Sequence, residues 1–113
     1  RFIKKSIQSL KEGKPILITR DRQMDFFYVG DLCDVIRSYF ERDDLPRDVD
    51  CVYPGVAPFL SELARILVVK YGNEGSIIIE NDGYQECYTG GCNLDQFGIP
   101  FKGLIKGIEE IYG

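Results

Sequence analysis

The residue types with most chemical potential crowd into one stretch, TRDRQMDFFYVGD, running from Thr19 to Asp31. Arg20 and Arg22 carry planar guanidinium forks that match the oxygens of a phosphate or carboxylate. Asp21, Asp25 and Asp31 stand among them, and Phe26-Phe27-Tyr28 adds aromatic surface. A local basic cluster of this kind can hold a small anionic ligand. Elsewhere the chemistry is thin. The chain has no histidine, which removes the commonest general base, the usual metal ligand and the switch that titrates near neutrality. The four cysteines are Cys33, Cys51, Cys87 and Cys92, and they lack the paired C-x2–4-C or Cys/His spacing of a zinc site. No metal site is expected. Cys87 and Cys92 are close enough to close a small disulfide loop. The plainer expectation is four reduced thiols in a cytoplasmic protein, with Cys33 and Cys51 as small core residues.

Composition bounds what these residues can serve. A chain of 113 residues with 44% hydrophobic and 28% charged side chains suits one globular domain. Fourteen basic against eighteen acidic residues give a net charge of −4, which offers no general attraction to nucleic acid or to anionic lipid. No apolar run approaches the roughly 18 to 20 residues that a membrane span needs. Neither nucleic acid nor membrane is an expected partner.

The elements that would position the cluster follow from periodicity. Ile3, Ile7 and Leu10 recur at helical spacing, and Gly13 and Pro15 end that helix. Pro15 to Thr19 (PILIT) reads as a strand and Phe26 to Val29 as a second. Asp31 stands at the N-cap of a helix whose expected inner stripe is Leu32, Val35, Ile36, Tyr39 and Phe40. Asp25 is expected to bond backbone amides in its own turn. DCVYPGV, from Asp50, reads as a third strand. The segment from Pro58 to Tyr71 is a helix with apolar residues on most sides, which calls for cover on more than one face. Ser76 to Glu80 makes a fourth strand, followed by a turn at Asn81-Asp82-Gly83. A last helix carries Phe101, Leu104, Ile105, Ile108 and Ile111 on one stripe, with Gly103 and Gly107 marking close packing. The expected fold class is α/β, a small mixed sheet with flanking helices in the order α-β-β-α-β-α-β-α.

Four stretches in this order, GKPILI, DRQMDFFYVGDLCDVI, DCVYPGV with FLSELARIL, and YTGGCNLDQFGIPFKGLIKGIEEIY, resemble the C-terminal part of the extended short-chain dehydrogenase/reductase family. These are NAD-dependent epimerases and dehydratases of nucleotide-diphosphate sugars, and the likeness covers nearly the whole chain. It implies that residues 1–113 are the substrate-binding fragment of a two-lobed Rossmann-type enzyme, with isomerase, lyase or oxidoreductase chemistry left open. The family's cofactor half is not recognisable. No glycine-rich dinucleotide turn occurs, and none of the seven tyrosines has lysine four residues on. The expectation is therefore no cofactor on this fragment, NAD or NADP on the full-length enzyme, and no catalytic residue here. Arg1 in place of an initiating Met is read as the trace of a chain that begins upstream.

The resemblance also names a substrate site. Ile16 and Ile18 correspond to a strand that lines the nucleotide-base pocket in relatives, and Phe26 to an aromatic near the substrate. Met24 occupies the position where many relatives place a diphosphate-gripping arginine, which leaves Arg22 to reach the same anion from across the turn. Asp25 and Asp31 are expected to be structural. The partners implied are a nucleotide-diphosphate sugar, held weakly by the fragment alone, the missing N-terminal domain, and a second copy of the chain. A competing reading is a non-catalytic binding or oligomerisation module derived from the same fold.

Overall fold

The regularly spaced Ile3, Ile7 and Leu10 do form a helix, α1 (Phe2–Lys11), and it buries Ser6, Ile7 and Leu10. The computed structural model describes residues 2–55, 57–72, 76–84 and 94–113. After α1, Gly13 takes a left-handed φ of 73°, a conformation that costs glycine little, and the chain turns into strand β1 (Ile16–Asp21). Helices α2 (Val29–Glu41), α3 (Leu60–Tyr71) and α4 (Leu104–Tyr112), strand β2 (Ile77–Tyr84) and a 3-10 turn at Leu94–Phe97 complete the described elements.

The chain divides into two compact units, Arg1–Met24 with Pro58–Tyr88, and Asp25–Ala57 with Thr89–Gly113. In the first, β1 and β2 pair in parallel, Ile16 opposite Ile77 and Ile18 opposite Ile79. Parallel neighbours need a long crossover, and α3 lies on it. Ile16 and Ile18 point into a core with Ile7, Leu10, Leu63, Ala64 and Leu67, while Leu17, between them, lies on the outer face. α3 is covered on one side only: Leu63, Ala64 and Leu67 are fully buried, yet Val69 is 86% exposed. Gly72, just past α3, lies so close to Leu10 that a Cβ there would meet its Cδ2 at 2.8 Å. The second unit gathers Val35 of α2 with Leu94 and Phe97 of the 3-10 turn, and Phe27, Leu45, Val49, Cys51, Ile99 and Phe101 pack around them.

Two of the four expected strands are not strands. Phe26 to Val29 has no ladder partner; its β-favouring side chains find their packing elsewhere, Phe27 stacked on Tyr53 with centroids 4.5 Å apart. Tyr28 becomes the residue before α2, and Val29 opens that helix. From Asp50 to Gly55 the chain is irregular, folded on itself where Val52 N–H bonds Asp50 O at 3.0 Å. The expected turn at Asn81-Asp82-Gly83 is instead the end of β2. Arg20 faces Asn81 but Asp21 faces Tyr84, so Asp82 and Gly83 form a bulge, with Gly83 at φ 80°. The small sheet with flanking helices is thus present, as an α/β arrangement with two parallel strands. The order among the described residues is α-β-α-α-β-α.

The stripe of α2 is narrower than expected. Val35 is buried and Tyr39 reaches Pro46 O with its hydroxyl, but Ile36 is exposed and Phe40 is 87% exposed. Cys33 lies on the exposed side too, contrary to its reading as a core residue, whereas Cys51 packs at the edge of the Val35 core. Both are free thiols. Cys87 and Cys92 lie outside the described residues.

Candidate functional site

Asp31 accepts three hydrogen bonds in the second unit. It is not an N-cap: α2 begins two residues earlier, which carries Asp31 into the first turn and leaves Tyr28 as the cap, without a side-chain bond. Its carboxylate, 1% exposed, accepts the N–H groups of Lys102 and Gly103 at 3.0 Å each and the hydroxyl of Tyr53 at 2.5 Å. Tyr53 in turn accepts the N–H of Tyr28 at 3.1 Å. One anion therefore fastens the start of α2, the 50s loop and the start of α4. The positive ends of two helices and three donors offset the cost of burying it. Burial, and then the neighbouring Asp31 carboxylate, push the Tyr53 phenol well above its ordinary range, so it stays a protonated donor. Burial, followed by Asp50, raises the Cys51 thiol as well, which keeps it from acting as a nucleophile.

An aromatic wall stands on this node. Phe27 stacks on Tyr53, and Phe101 meets both rings edge-on at 5.9 and 6.4 Å. Phe101 is also one side of a groove of about 520 Å³ lined with Pro54, Gly55, Leu94, Asp95 and Ile99. That volume suits a small molecule. Its described lining is apolar apart from Asp95, which favours an uncharged or cationic group over a phosphate. At the other side of the same 3-10 turn, Arg42 holds Asp44 with two bonds of 2.9 and 2.8 Å and donates to Phe97 O at 3.0 Å. Its fork is committed to structure.

In the first unit, Asp21 does for α3 what a local cap would do. Residue Phe59, at the N-cap, has no acceptor in its side chain. Asp21 arrives from the end of β1 and accepts Ser61 N–H at 3.0 Å and the Ser61 hydroxyl, while Glu62 accepts Phe59 N–H at 3.1 Å. Beside it, Gln23 bridges to Phe59, Leu60 N–H donates to Arg22 O, and Met24 N–H donates to Pro58 O.

The expected substrate residues distribute as follows. Arg22 and Met24 come together on that short bridge, both half-buried. Ile16 and Ile18 are core residues, 1% and 2% exposed, because the face of β1 that carries them is the one covered by α1 and α3. Ile16 nevertheless borders a small cavity of about 210 Å³ with Phe2, Lys5, Ser6, Ser9 and Leu17. Phe26 and Asp25 are half-buried in the second unit. The Asp21–Ser61 and Asp31–Tyr53–Lys102 pairings have no local signature, since their partners are 40 and 71 positions apart. Among the described residues no group of three His, Cys, Asp or Glu could hold a metal ion, and no helix is long and apolar enough to cross a membrane. No family model matches the chain, and searches of curated proteins and of solved structures return no match either.

Proposed function

We propose that this chain is the substrate-side portion of an NAD-dependent epimerase or dehydratase of nucleotide-diphosphate sugars, a part that grips and shapes and does not react. The observation that carries the reading is the Asp31 node. Two of the stretches that resemble the family, YVGDLCDVI and FKGLIKGI, are fastened to each other by that one carboxylate. In this reading Arg22 supplies the cation for the diphosphate, Met24 supplies apolar surface, and Ile16 and Ile18 stiffen the strand behind them.

The described residues do not fit a dinucleotide. A pyrophosphate is held by free amides at a helix N-terminus. Here Asp21 takes an amide in the first turn of α3, and Asp31 brings its carboxylate to the first turn of α2 and to the N-cap amide of α4. A second anion at any of these three helix starts is repelled. In this reading hydride acceptance by NAD or NADP falls to the other half of the complete enzyme. A second reading, a non-catalytic module that docks another chain, is favoured by the exposed Val29, Cys33, Ile36 and Phe40 along one side of α2.

Calorimetric titration with uridine, cytidine, guanosine and thymidine diphosphates tests the first reading. At least one should bind saturably, and Arg22→Ala should weaken it by about tenfold, the loss of one charge-assisted pair. Absence of binding by all four, together with a concentration-dependent dimer in sedimentation, would favour the docking module.

A further inference from the structure

We infer that the outer face of α2 is a dimerisation surface, packing antiparallel against α2 of a second copy of this chain. The helix carries two apolar faces. Asp31 and Val35 turn inward and are buried. On the far side Val29, Cys33, Ile36 and Phe40 are all exposed. At about 3.6 residues per turn these four lie within roughly 60° of arc. Their spacing of four, three and four residues is that of the a and d positions along a coiled-coil seam. A helix face meant for water carries polar residues instead. The dimer surface rests on the docking reading of α2 and is independent of the diphosphate contact at Arg22.

Area, shape and charge select the occupant. Phe40 is 87% exposed, Val29 57% and Ile36 48%. With Cys33 they offer on the order of 400 Å² of apolar surface per copy. Two copies with their polar flanks bury about 1,000 Å², where specific but reversible association begins. The stripe also fits its own reversed copy. A two-fold axis crossing between Asp34 and Val35 sets Val29 against Phe40 of the other copy and Cys33 against Ile36, so each layer joins a small side chain to a large one. A parallel pair would set Phe40 on Phe40 and Cys33 on Cys33. Arg37 flanks the stripe on one side, with Asp34 one turn before it at 3.2 Å, and Leu32 and Tyr39 flank it on the other. In the antiparallel pair like flanks meet. Each Arg37 then stands about 3 Å along the axis from Asp34 of the other copy, but about 7.5 Å from the other Arg37. A parallel pair would turn Arg37 toward Leu32 and Tyr39, away from any acid.

The test is sedimentation equilibrium of the 113-residue chain, joined to cross-linking with a short bis-maleimide. The two Cys33 residues would stand about 4.5 Å apart along axes about 8 to 10 Å apart, within reach of that reagent. A reversible monomer–dimer equilibrium is expected, with a dissociation constant on the order of 100 μM. A cross-linked dimer should form and be lost in Cys33→Ser. Phe40→Gln should weaken the dimer about tenfold. Its urea midpoint in dilute solution should match that of the parent chain, because Phe40 faces water in the monomer; that separates lost association from lost folding. Arg37→Asp should weaken the dimer, and Arg37→Asp with Asp34→Arg should restore it. A monomer at every concentration up to about 500 μM would overturn the inference and leave the stripe to a different polypeptide. A dimer of unchanged affinity in Phe40→Gln, with no link through Cys33, would overturn it too, since the copies then meet elsewhere. Neither result bears on diphosphate binding at Arg22.

Discussion

A single carboxylate decides the local architecture of the second unit. Replacing Asp31 with alanine strands the N–H groups of Lys102 and Gly103 and the Tyr53 hydroxyl, which converge on a carboxylate that is itself buried. The expected cost is about 3 kcal/mol, read from urea unfolding; a loss below about 1 kcal/mol would mean that the node is ornamental. Tyr53 adds a pH dependence of definite sign. Its folded-state pKa is raised, so above the unfolded value of about 10 the native chain keeps a proton that the unfolded chain releases. Stability is full below that pH and declines as pH rises beyond it. Tyr53→Phe removes this part of the alkaline slope, and the difference between the two stability–pH curves measures it. Little of this was legible beforehand. Asp31 read as a cap on its own helix, whereas it lies in the first turn and its carboxylate reaches Lys102 and Gly103. Aspartate before an apolar stripe looks the same whether its carboxylate turns to local amides or to those of a segment far along the chain.

At the scale of elements, periodicity found all four α-helices of the described residues, with Leu60 to Tyr71 nearly to the residue, because helical spacing of apolar residues is a property of the segment itself. Strand assignments failed where aromatic and β-branched residues were serving tertiary packing. Phe27 and Tyr53 stack on each other, and neither belongs to a ladder. Gly103 and Gly107 had been read as marks of close packing, and the structure separates them. Gly103 takes φ 87° before α4, in open space, whereas Gly107 lies against Tyr28. A Cβ at 107 would meet Tyr28 Cγ at 2.5 Å and Cβ at 2.6 Å, too near the backbone for the ring to swing aside. Two effects then compete in Gly107→Ala: helix propensity gains about 1 kcal/mol and overpacking costs about 1 to 3 kcal/mol. The clash should win, so the variant should melt lower than the parent chain; a higher melting temperature would show that α4 moves freely away from Tyr28.

At the scale of the molecule, the chain divides where the most chemically loaded stretch stood. Met24 closes one run of the first unit and Asp25 opens the second, so TRDRQMDFFYVGD carries a strand end, a crossing and a helix start within a few residues. That crowding was visible as mixed signals in the sequence. The pairing of β1 with β2 was not, because parallel strands 61 positions apart leave no local trace of their register. Three described ionisable groups hold the fold: Asp21 on α3, Asp31 on α2 and α4, and Arg42 on the 3-10 turn.

Equilibrium dialysis of the purified chain with NAD, NADP and a panel of nucleotide-diphosphate sugars, with nicotinamide absorbance followed in the same cells, is the most direct test. Retention of a nucleotide sugar, with neither coenzyme retained and no change in nicotinamide absorbance, is the predicted result. Firm capture of either coenzyme, or conversion of a sugar nucleotide by this polypeptide unaided, would contradict it.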